Sequence, residues 1–285
     1  MKEGFPKVNF IGIGAQKAAT TWIFKCLEEH PDICVSNPKE TFFFCEDDKF
    51  QRGAEYYKSF FLGCEERKIT GEYTTSYLST PGTAERIKKY YPDVQLIVCL
   101  RDPVKRAIST YNHLDFKNKT KKLNFKEALV ECPEIIEYGF YYRYLRNYFD
   151  LFPRENILVL IYEDIEKDPG EFIEKIYSFL GVDDEFVPKG VNSKVNTSAA
   201  RSSSINKGIN RLYLKKGNNF LMSRIIKFAR RLGVNKYKID ATFKRNDYKN
   251  ISEEEVQMLA NIYKDDINNL KGLIKRDLSV WSNNK

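Results

Sequence analysis

Short apolar runs alternate with stretches of helical spacing along the first part of the chain. Three runs are rich in β-branched and other apolar residues, at 8–13, 95–100 and 157–161. Each is followed by a turn and then by apolar residues at helical spacing, which is typical of a parallel sheet with crossover helices. Shorter runs at 33–35 and 69–72 predict two further strands. The pattern predicts an α/β fold with a central parallel sheet flanked by helices.

The helical stretches have recognisable beginnings and one clear end. Five helices are predicted to begin near Thr20, Thr83, Val104, Gly139 and Glu171. The fourth ends before Pro153, because the residue before a proline is disfavoured in a helix.

The pattern loosens after Gly181. Residues 183–205 are rich in Ser, Asn and Lys and predict a long loop, and loops of this length in compact proteins are usually functional or mobile. Two amphipathic helices are predicted around 208–231 and 252–271. We expect a single domain over 1–285, divided into a core over 8–182 and a loop with a helical lid over 183–285.

Composition adds a prediction about compartment. The 285 residues are 42% hydrophobic and 14% aromatic, which is enough for one large packed domain. No apolar run approaches the roughly 20 residues that cross a bilayer, and the N-terminus does not resemble a signal peptide. The six cysteines are scattered without a C-x-x-C pair, and only two histidines accompany them. This spacing argues against a zinc site or a disulfide framework and predicts free thiols in the cytoplasm.

Positive charge is concentrated in one segment. Residues 201–249 contain 14 Lys and Arg and two acids, a net +12 against +8 for the whole chain. Such a segment predicts an anionic partner, with phosphate, sulfate, an acidic glycan, nucleic acid and a membrane surface as alternatives. A solvated helical face in a lysine-rich chain is the simpler interpretation.

The most informative segment follows the first strand, over residues 10–22. Its sequence, FIGIGAQKAATTW, leads a buried strand into small residues, a lysine and two hydroxyls at a predicted helix start. Small residues let the backbone close on a ligand, and the exposed N–H groups of a helix start attract anionic oxygens. Lys17 adds a mobile positive charge, and Thr20 and Thr21 add hydroxyl donors. An ordinary strand-to-helix turn is the alternative interpretation.

The loop differs from the P-loop of nucleoside triphosphatases. That motif reads G-x-x-x-x-G-K-[ST], with a hydroxyl for magnesium directly after the lysine. Here Lys17 precedes the small pair, and the strand ending at Leu100 is followed by Arg101 instead of an acid. The segment therefore predicts a phosphate site without the residues that hold a metal.

This loop resembles the 5′-phosphosulfate loop of the sulfotransferases that use 3′-phosphoadenosine 5′-phosphosulfate (PAPS). The family's usual form is Lys-(Ser/Ala/Gly)-Gly-Thr-Thr, and Ala19 replaces the common glycine. We therefore expect the loop to avoid positive φ at Ala19.

A second motif supports the resemblance. Residues 96–113, LIVCLRDPVKRAISTYNH, are similar to the family's 3′-phosphate motif, in which an Arg ends a strand and a Ser follows eight residues later. Those positions are Arg101 and Ser109. A guanidinium fork matches phosphate oxygens, and a serine hydroxyl adds a donor.

The resemblance covers roughly residues 8–200 and is closest to the glycan-sulfating and bacterial branches, including heparan sulfate sulfotransferases. It implies a three-layer sandwich like that of P-loop-containing nucleotide hydrolases, with a helical C-terminal part, and no metal. It also implies transfer of a sulfuryl group from PAPS to a hydroxyl or amine, leaving PAP. The donor-binding residues that it implies are Gln16, Lys17, Ala18, Ala19, Thr20, Thr21, Trp22, Arg101, Ser109 and Arg201. Trp22 is expected near the adenine, with a core position as the alternative.

The same resemblance implies the catalytic residues. Lys17 would stabilise the leaving phosphate, Glu40 in KETFFF would be the general base, and His113 would lie beside the acceptor. An ion pair between Glu40 and a neighbouring cation is the alternative for Glu40. The glycan branch often has a lysine where this chain has Tyr73, so acceptor handling differs or Lys39 replaces that lysine.

The acceptor stays open at the level of sequence. A glycan is our first expectation, and a small secondary metabolite is the alternative. A kinase-like enzyme and a non-catalytic nucleotide- or nucleic-acid-binding protein are the competing classes. We expect no nucleic-acid partner, and peripheral membrane contact through the basic segment is a further alternative.

Overall fold

The computed structural model describes residues 4–116, 123–191 and 251–281. Its sheet has five parallel strands in the order β2-β3-β1-β4-β5. They are β1 (Phe10–Gly14), β2 (Ile33–Val35), β3 (Ile69–Tyr73), β4 (Gln95–Leu100) and β5 (Ile157–Ile161). All five correspond to the predicted apolar runs, and every residue of β1 and β3 is buried. The predicted parallel α/β sheet is confirmed.

The strand order fixes where a ligand can bind. β1 lies between β3 and β4, and the chain crosses first to the β2 side of the sheet and later to the β4 side. In open α/β sheets, ligands bind beyond the carboxyl ends of the strands at such a reversal of strand order. The segments that follow Gly14 and Leu100 leave neighbouring strands at that edge. The two predicted phosphate motifs therefore begin side by side.

The helices pack against this sheet and against one another. They are α1 (Thr20–Glu29), α2 (Asp47–Gln51), α3 (Gly53–Lys58), α4 (Thr83–Tyr90), α5 (Pro103–Phe116), α6 (Phe125–Glu131), α7 (Glu134–Glu137), α8 (Tyr141–Leu151), α9 (Pro169–Leu180) and α10 (Glu253–Ile274). The five predicted helix starts lie within two residues of those of α1, α4, α5, α8 and α9. α9 shows why: Asp168 caps its first turn, Pro169 occupies the first helical position, and Gly181 ends it at φ 68°.

The last helix belongs to the main body of the chain. α10 begins at a capping box in which Ser252 and Glu255 satisfy each other's backbone N–H groups. Its buried Leu259 and Tyr263 join an apolar cluster formed with α5, α6 and α7. The predicted helix over 252–271 corresponds to α10. The predicted helix over 208–231 and the basic segment 201–249 lie outside the described residues.

One disulfide bond differs from the expectation of free thiols. Cys34, in β2, is bonded to Cys64, which follows a short 3-10 helix over Ser59–Phe61. The two residues are 30 positions apart, so the sequence showed no close cysteine pair. The sheet brings them together because β2 and the segment leading to β3 are neighbours. The expectation of free thiols is therefore wrong for this pair, and the cytoplasmic compartment stays a prediction.

Within the part of the chain that the structure describes, no helix combines the length and the apolar character needed to span a bilayer.

Candidate active site

The base of the site is formed where β1 meets β3. Gly12 lies directly beneath the ring of Tyr73, and a Cβ atom at Gly12 would come within 2.2 Å of that ring. Tyr73 is fully buried, and its hydroxyl donates a hydrogen bond of 2.8 Å to the carbonyl oxygen of Gly14. Burial raises the pKa of Tyr73 well above its ordinary value, so the phenol stays protonated and donates. Tyr73 therefore supports the backbone at the start of the loop.

The phosphate loop itself has an unusual backbone. Lys17 and Ala19 both have positive φ, 67° and 56°. The expectation that the loop avoids positive φ at Ala19 is wrong: Ala19 takes the left-handed conformation and precedes the first residue of α1. For a residue with a Cβ atom this conformation costs about 1–2 kcal/mol. Strain of this kind is typical of functional sites.

The start of α1 is arranged to attract anions. No side chain accepts a hydrogen bond at this helix start within the described residues, and its first turn contains no acidic residue. The N-terminal N–H groups of a helix carry partial positive charge. The start of α1 therefore suits an anion electrostatically, and phosphate binding by the loop around Lys17 stays a prediction.

Arg101 joins the second motif to the first. Its Nη1 donates a hydrogen bond of 3.1 Å to the carbonyl oxygen of Lys17, and its guanidinium lies 4.6 Å from the centre of the Tyr162 ring. The Nε atom of Arg101 is buried and has no hydrogen-bond partner among the described residues. A buried donor of this kind needs an acceptor, and a phosphate oxygen would supply one. Ser109 and His113 lie half-buried on α5, one turn apart.

A buried network holds the Arg101 corner in place. The Oδ1 atom of Asp102 accepts the N–H groups of Val104 and Lys105 and so caps α5. The N–H of Asp102 donates to Glu163, whose other oxygen accepts the indole N–H of Trp281 at 2.9 Å. Burial raises the pKa of Asp102 to about 6. Sequence reasoning missed this support because Trp281 and Glu163 are 118 residues apart.

Glu40 lies beside the loop and is held on two sides. Its Oε2 accepts the N–H of Thr75 at 2.9 Å and the hydroxyl of Thr75 at 3.1 Å. Its Oε1 is 2.6 Å from the ammonium of Lys39. The ion pair considered as the alternative interpretation is therefore present, and Lys39 also reaches the loop, with Nζ 3.4 Å from the hydroxyl of Thr20.

A buried carboxylate lies behind Glu40. Glu72 is fully buried, and burial raises its pKa. Four hydroxyls donate to it, those of Thr41 (2.5 Å), Tyr57 (2.7 Å), Thr74 (2.8 Å) and Tyr77 (3.1 Å). Thr41 follows Glu40 and Thr74 precedes Thr75, so the network fixes the peptides on both sides of the Glu40–Thr75 contact. In the sequence these hydroxyls resembled ordinary core and turn residues.

Comparison with known proteins decides the family. The sulfotransferase domain family matches residues 9–270 of this chain. The chain belongs to that family. Both the resemblance noted in the two phosphate motifs and the predicted α/β sandwich are confirmed.

Curated relatives agree with the glycan-sulfating branch. Human heparan sulfate glucosamine 3-O-sulfotransferase 6 is 29% identical over 185 residues, which cover 62% of this chain and 53% of the relative. The membrane-associated sulfotransferase kil1 of Dictyostelium discoideum is 34% identical over 138 residues, covering 45% of this chain and 29% of the relative. The chain thus spans about half or less of the length of these relatives.

Solved structures match over nearly the whole chain. A sulfotransferase from Alicyclobacillus acidocaldarius has 25% identity and a TM-score of 0.68, covering 97% of this chain and 99% of the other. A mouse sulfotransferase complexed with PAP has 15% identity and a TM-score of 0.57, covering 95% of this chain and 88% of the other, which shows a shared fold.

The remaining predicted donor-binding residues of this sulfotransferase domain occupy different environments. Trp22 is buried, its indole N–H donates to the carbonyl oxygen of Gly190 at 3.2 Å, and its ring packs on Phe172. These contacts are those of a core aromatic, and the adenine contact stays a prediction. Ala18 is fully buried, Gln16 and Thr21 are half-buried beside it, and Arg201 lies outside the described residues.

The described residues fit a doubly phosphorylated donor. The helix start, the loop amides and the guanidinium of Arg101 are cationic or N–H donor groups at one edge of the sheet. Among residues 4–116, 123–191 and 251–281, no group of three His, Cys, Asp or Glu side chains is arranged to hold a metal ion. The N–H groups and the guanidinium at this edge suit the oxygens of phosphate and sulfuryl groups.

Proposed function

We propose that this chain transfers a sulfuryl group from PAPS to a hydroxyl or amine of an acceptor. The observation that carries the proposal is the contact between Arg101 and the carbonyl oxygen of Lys17, since it joins the two motifs directly. Family membership supports PAPS as the co-substrate. The binding residues in this proposal are those of the 5′ loop, Gln16 to Trp22, together with Arg101, Ser109 and Arg201.

The proposed chemistry needs one proton acceptor and several anion-stabilising groups. Glu40 takes the proton of the acceptor as its oxygen or nitrogen forms a bond to sulfur. The bond from sulfur to the bridging phosphate oxygen breaks, and PAP leaves with the added negative charge. Lys17 and the N–H groups at the start of α1 stabilise that charge. Arg101 and Ser109 hold the 3′-phosphate, and His113 orients the acceptor from the same helix.

Glycans are the acceptor class that we propose. Two observations support this choice: the heparan sulfate 3-O-sulfotransferases among the relatives, and the net charge of +12 over residues 201–249, which suits an anionic polymer.

The compartment predicted from the sequence is the cytoplasm. The Cys34–Cys64 bond and the membrane-associated relative favour an oxidising or membrane-proximal setting instead.

The activity can be measured with 35S-labelled PAPS and a panel of acceptors that contains desulfated heparan, other polysaccharides, phenols and amines. We expect transfer to a polysaccharide hydroxyl or amine. Lys17→Ala and Glu40→Gln should each lower kcat at least about 100-fold. The matched controls are Lys58→Ala and Glu55→Gln, two exposed charged residues on α3, which should keep wild-type turnover. Full activity of Glu40→Gln would remove Glu40 from the role of base.

A further inference from the structure

Lys39 occupies a position that the proposed chemistry has not used. Its side chain is 11% exposed, and its ammonium contacts groups on two different elements. One contact is with the Oε1 atom of Glu40 at 2.6 Å, and the other is with the hydroxyl of Thr20 at 3.4 Å. Thr20 is the first residue of α1 and part of the phosphate loop. Lys39 therefore bridges the proposed base and the proposed leaving-group site.

The backbone at Lys39 is also well defined. The hydroxyl of Ser36 contacts the carbonyl oxygens of Pro38 and Lys39, at 3.0 Å and 3.2 Å. Ser36 itself is buried. The ammonium of Lys39 lies 5.4 Å from the centre of the buried Tyr73 ring. The ammonium is thus directed toward the phosphate loop by contacts around it.

In-line transfer places the sulfuryl group between the base and the leaving phosphate. The attacking atom must be within hydrogen-bond reach of Glu40, and the departing oxygen must lie at the loop. Negative charge on the three sulfuryl oxygens therefore develops between these two points. The ammonium of Lys39 contacts both flanking groups, Glu40 and Thr20.

We propose that Lys39 is a further catalytic residue, whose ammonium binds the sulfuryl oxygens of the donor during transfer. This inference rests on the proposed function and goes beyond it by assigning a second cation to the reacting group. When the donor binds, a sulfuryl oxygen replaces the hydroxyl of Thr20 as a partner of Lys39, and the contact with Glu40 is kept. Both bonds can coexist because an ammonium has three donors.

A neighbouring lysine provides a matched control. Lys49 pairs with Glu46 at 2.9 Å and lies 4.5 Å from the centre of the Phe42 ring. Lys49, which lies on α2, therefore has the same two kinds of contact as Lys39, with a carboxylate and with an aromatic face. A general loss of charge or of an ion pair would affect both variants, whereas loss of a sulfuryl contact would affect only Lys39.

The test is a comparison of PAPS and PAP binding by titration calorimetry, which requires no acceptor. The two ligands differ only by the sulfuryl group. We expect Lys39→Met to weaken PAPS binding about tenfold or more and to leave PAP binding within about twofold, since one charge-assisted contact is lost. Lys49→Met should bind both ligands as the wild type does. Equal losses for PAPS and PAP, or no loss for either, would overturn the proposal.

Two further measurements keep the test decisive. Lys39→Arg retains the positive charge and should keep a preference for PAPS over PAP, which also covers the case in which Lys39→Met fails to fold. A Lys39→Arg variant without that preference, in a folded protein, would overturn the inference. Failure of the proposed function has a different signature, because the wild-type protein would then transfer no 35S from labelled PAPS to any acceptor of the panel.

Discussion

The guanidinium of Arg101 donates a hydrogen bond of 3.1 Å to the carbonyl oxygen of Lys17. This bond holds two loops, which leave neighbouring strands, at a fixed separation. A donor with a phosphate at each end can be bound only if that separation is correct. We therefore propose two roles for Arg101: it binds the 3′-phosphate, and it sets the position of the loop that binds the other end of the donor.

Replacing Arg101 should consequently weaken nucleotide binding. We expect Arg101→Ala to reduce the affinity for PAP about 10- to 100-fold, because a charge-assisted contact and the loop contact are both lost. Arg101→Lys should recover only part of that loss, since an ammonium lacks the fork. The control is Arg154→Ala, an exposed arginine that donates to the carbonyl oxygen of Leu273. Unchanged PAP binding by Arg101→Ala in calorimetry would contradict the assignment of the 3′-phosphate site.

Ala19 offers a test of backbone strain. Because its φ is 56°, we expect Ala19→Gly to raise the free energy of unfolding by about 1 kcal/mol. Ala260→Gly, in the middle of α10, should have the opposite sign and lower it by about 1 kcal/mol. Urea unfolding followed by circular dichroism measures both. A lower stability for Ala19→Gly would show that the left-handed conformation is not strained in this loop.

The disulfide should contribute measurable stability. Cross-linking residues that are 30 positions apart lowers the entropy of the unfolded chain, which corresponds to about 3–4 kcal/mol. We expect the Cys34→Ser, Cys64→Ser double variant to lose most of that free energy of unfolding. Thiol titration of the denatured, unreduced protein should count four of the six cysteines. Six reactive thiols would show that the bond is not formed in the isolated protein.

Asp102 makes stability depend on pH. Burial raises its pKa from 3.8 to about 6 in the folded state, so the folded protein binds this proton more tightly than the unfolded chain does. Its favourable contribution is complete below about pH 3.8 and is lost as the pH rises through about 6. We expect Asp102→Asn, which stays neutral, to gain roughly 2–3 kcal/mol relative to wild type between pH 4 and pH 7. The nearby charges of Lys105 and Glu163 are unchanged in this variant.

The measurement is the difference in unfolding free energy between variant and wild type across that pH range. Asp150→Asn, an exposed carboxylate on α8, reports the effect of removing a surface charge. A difference that is constant with pH for Asp102→Asn would mean that Asp102 is ionised in both states.

Much of this structure could be predicted because its signals are local. The strands at 95–100 and 157–161 and the helix starts at Thr20 and Thr83 follow from apolar runs and turn residues. The pairing of Lys17 with Arg101 could be expected once both motifs were placed at carboxyl ends of neighbouring parallel strands. The order of strands within the parallel sheet, by contrast, could not be predicted, since local pattern does not encode it.

The features that escaped prediction depend on contacts distant in sequence. The left-handed conformation of Ala19 is imposed by the loop around it, although alanine itself disfavours positive φ. Tyr73 occupies the position of a lysine that is common in the glycan branch. Its hydrogen bond to Gly14 supports the loop, and this bond can form only when β1 and β3 pair. The Cys34–Cys64 bond and the hydroxyls around Glu72 likewise become neighbours only when the sheet forms.

The hydrogen bond from Trp281 to Glu163 affects the order in which parts of the protein fold during translation. On a ribosome, residues 10–161 leave the exit tunnel well before Trp281 does, so the sheet can assemble early. The Asp102 turn then lacks its indole support until Trp281 has been synthesised and has left the tunnel. Nascent chains should accordingly form the sheet first and acquire full affinity for nucleotide only after Trp281 has left the exit tunnel.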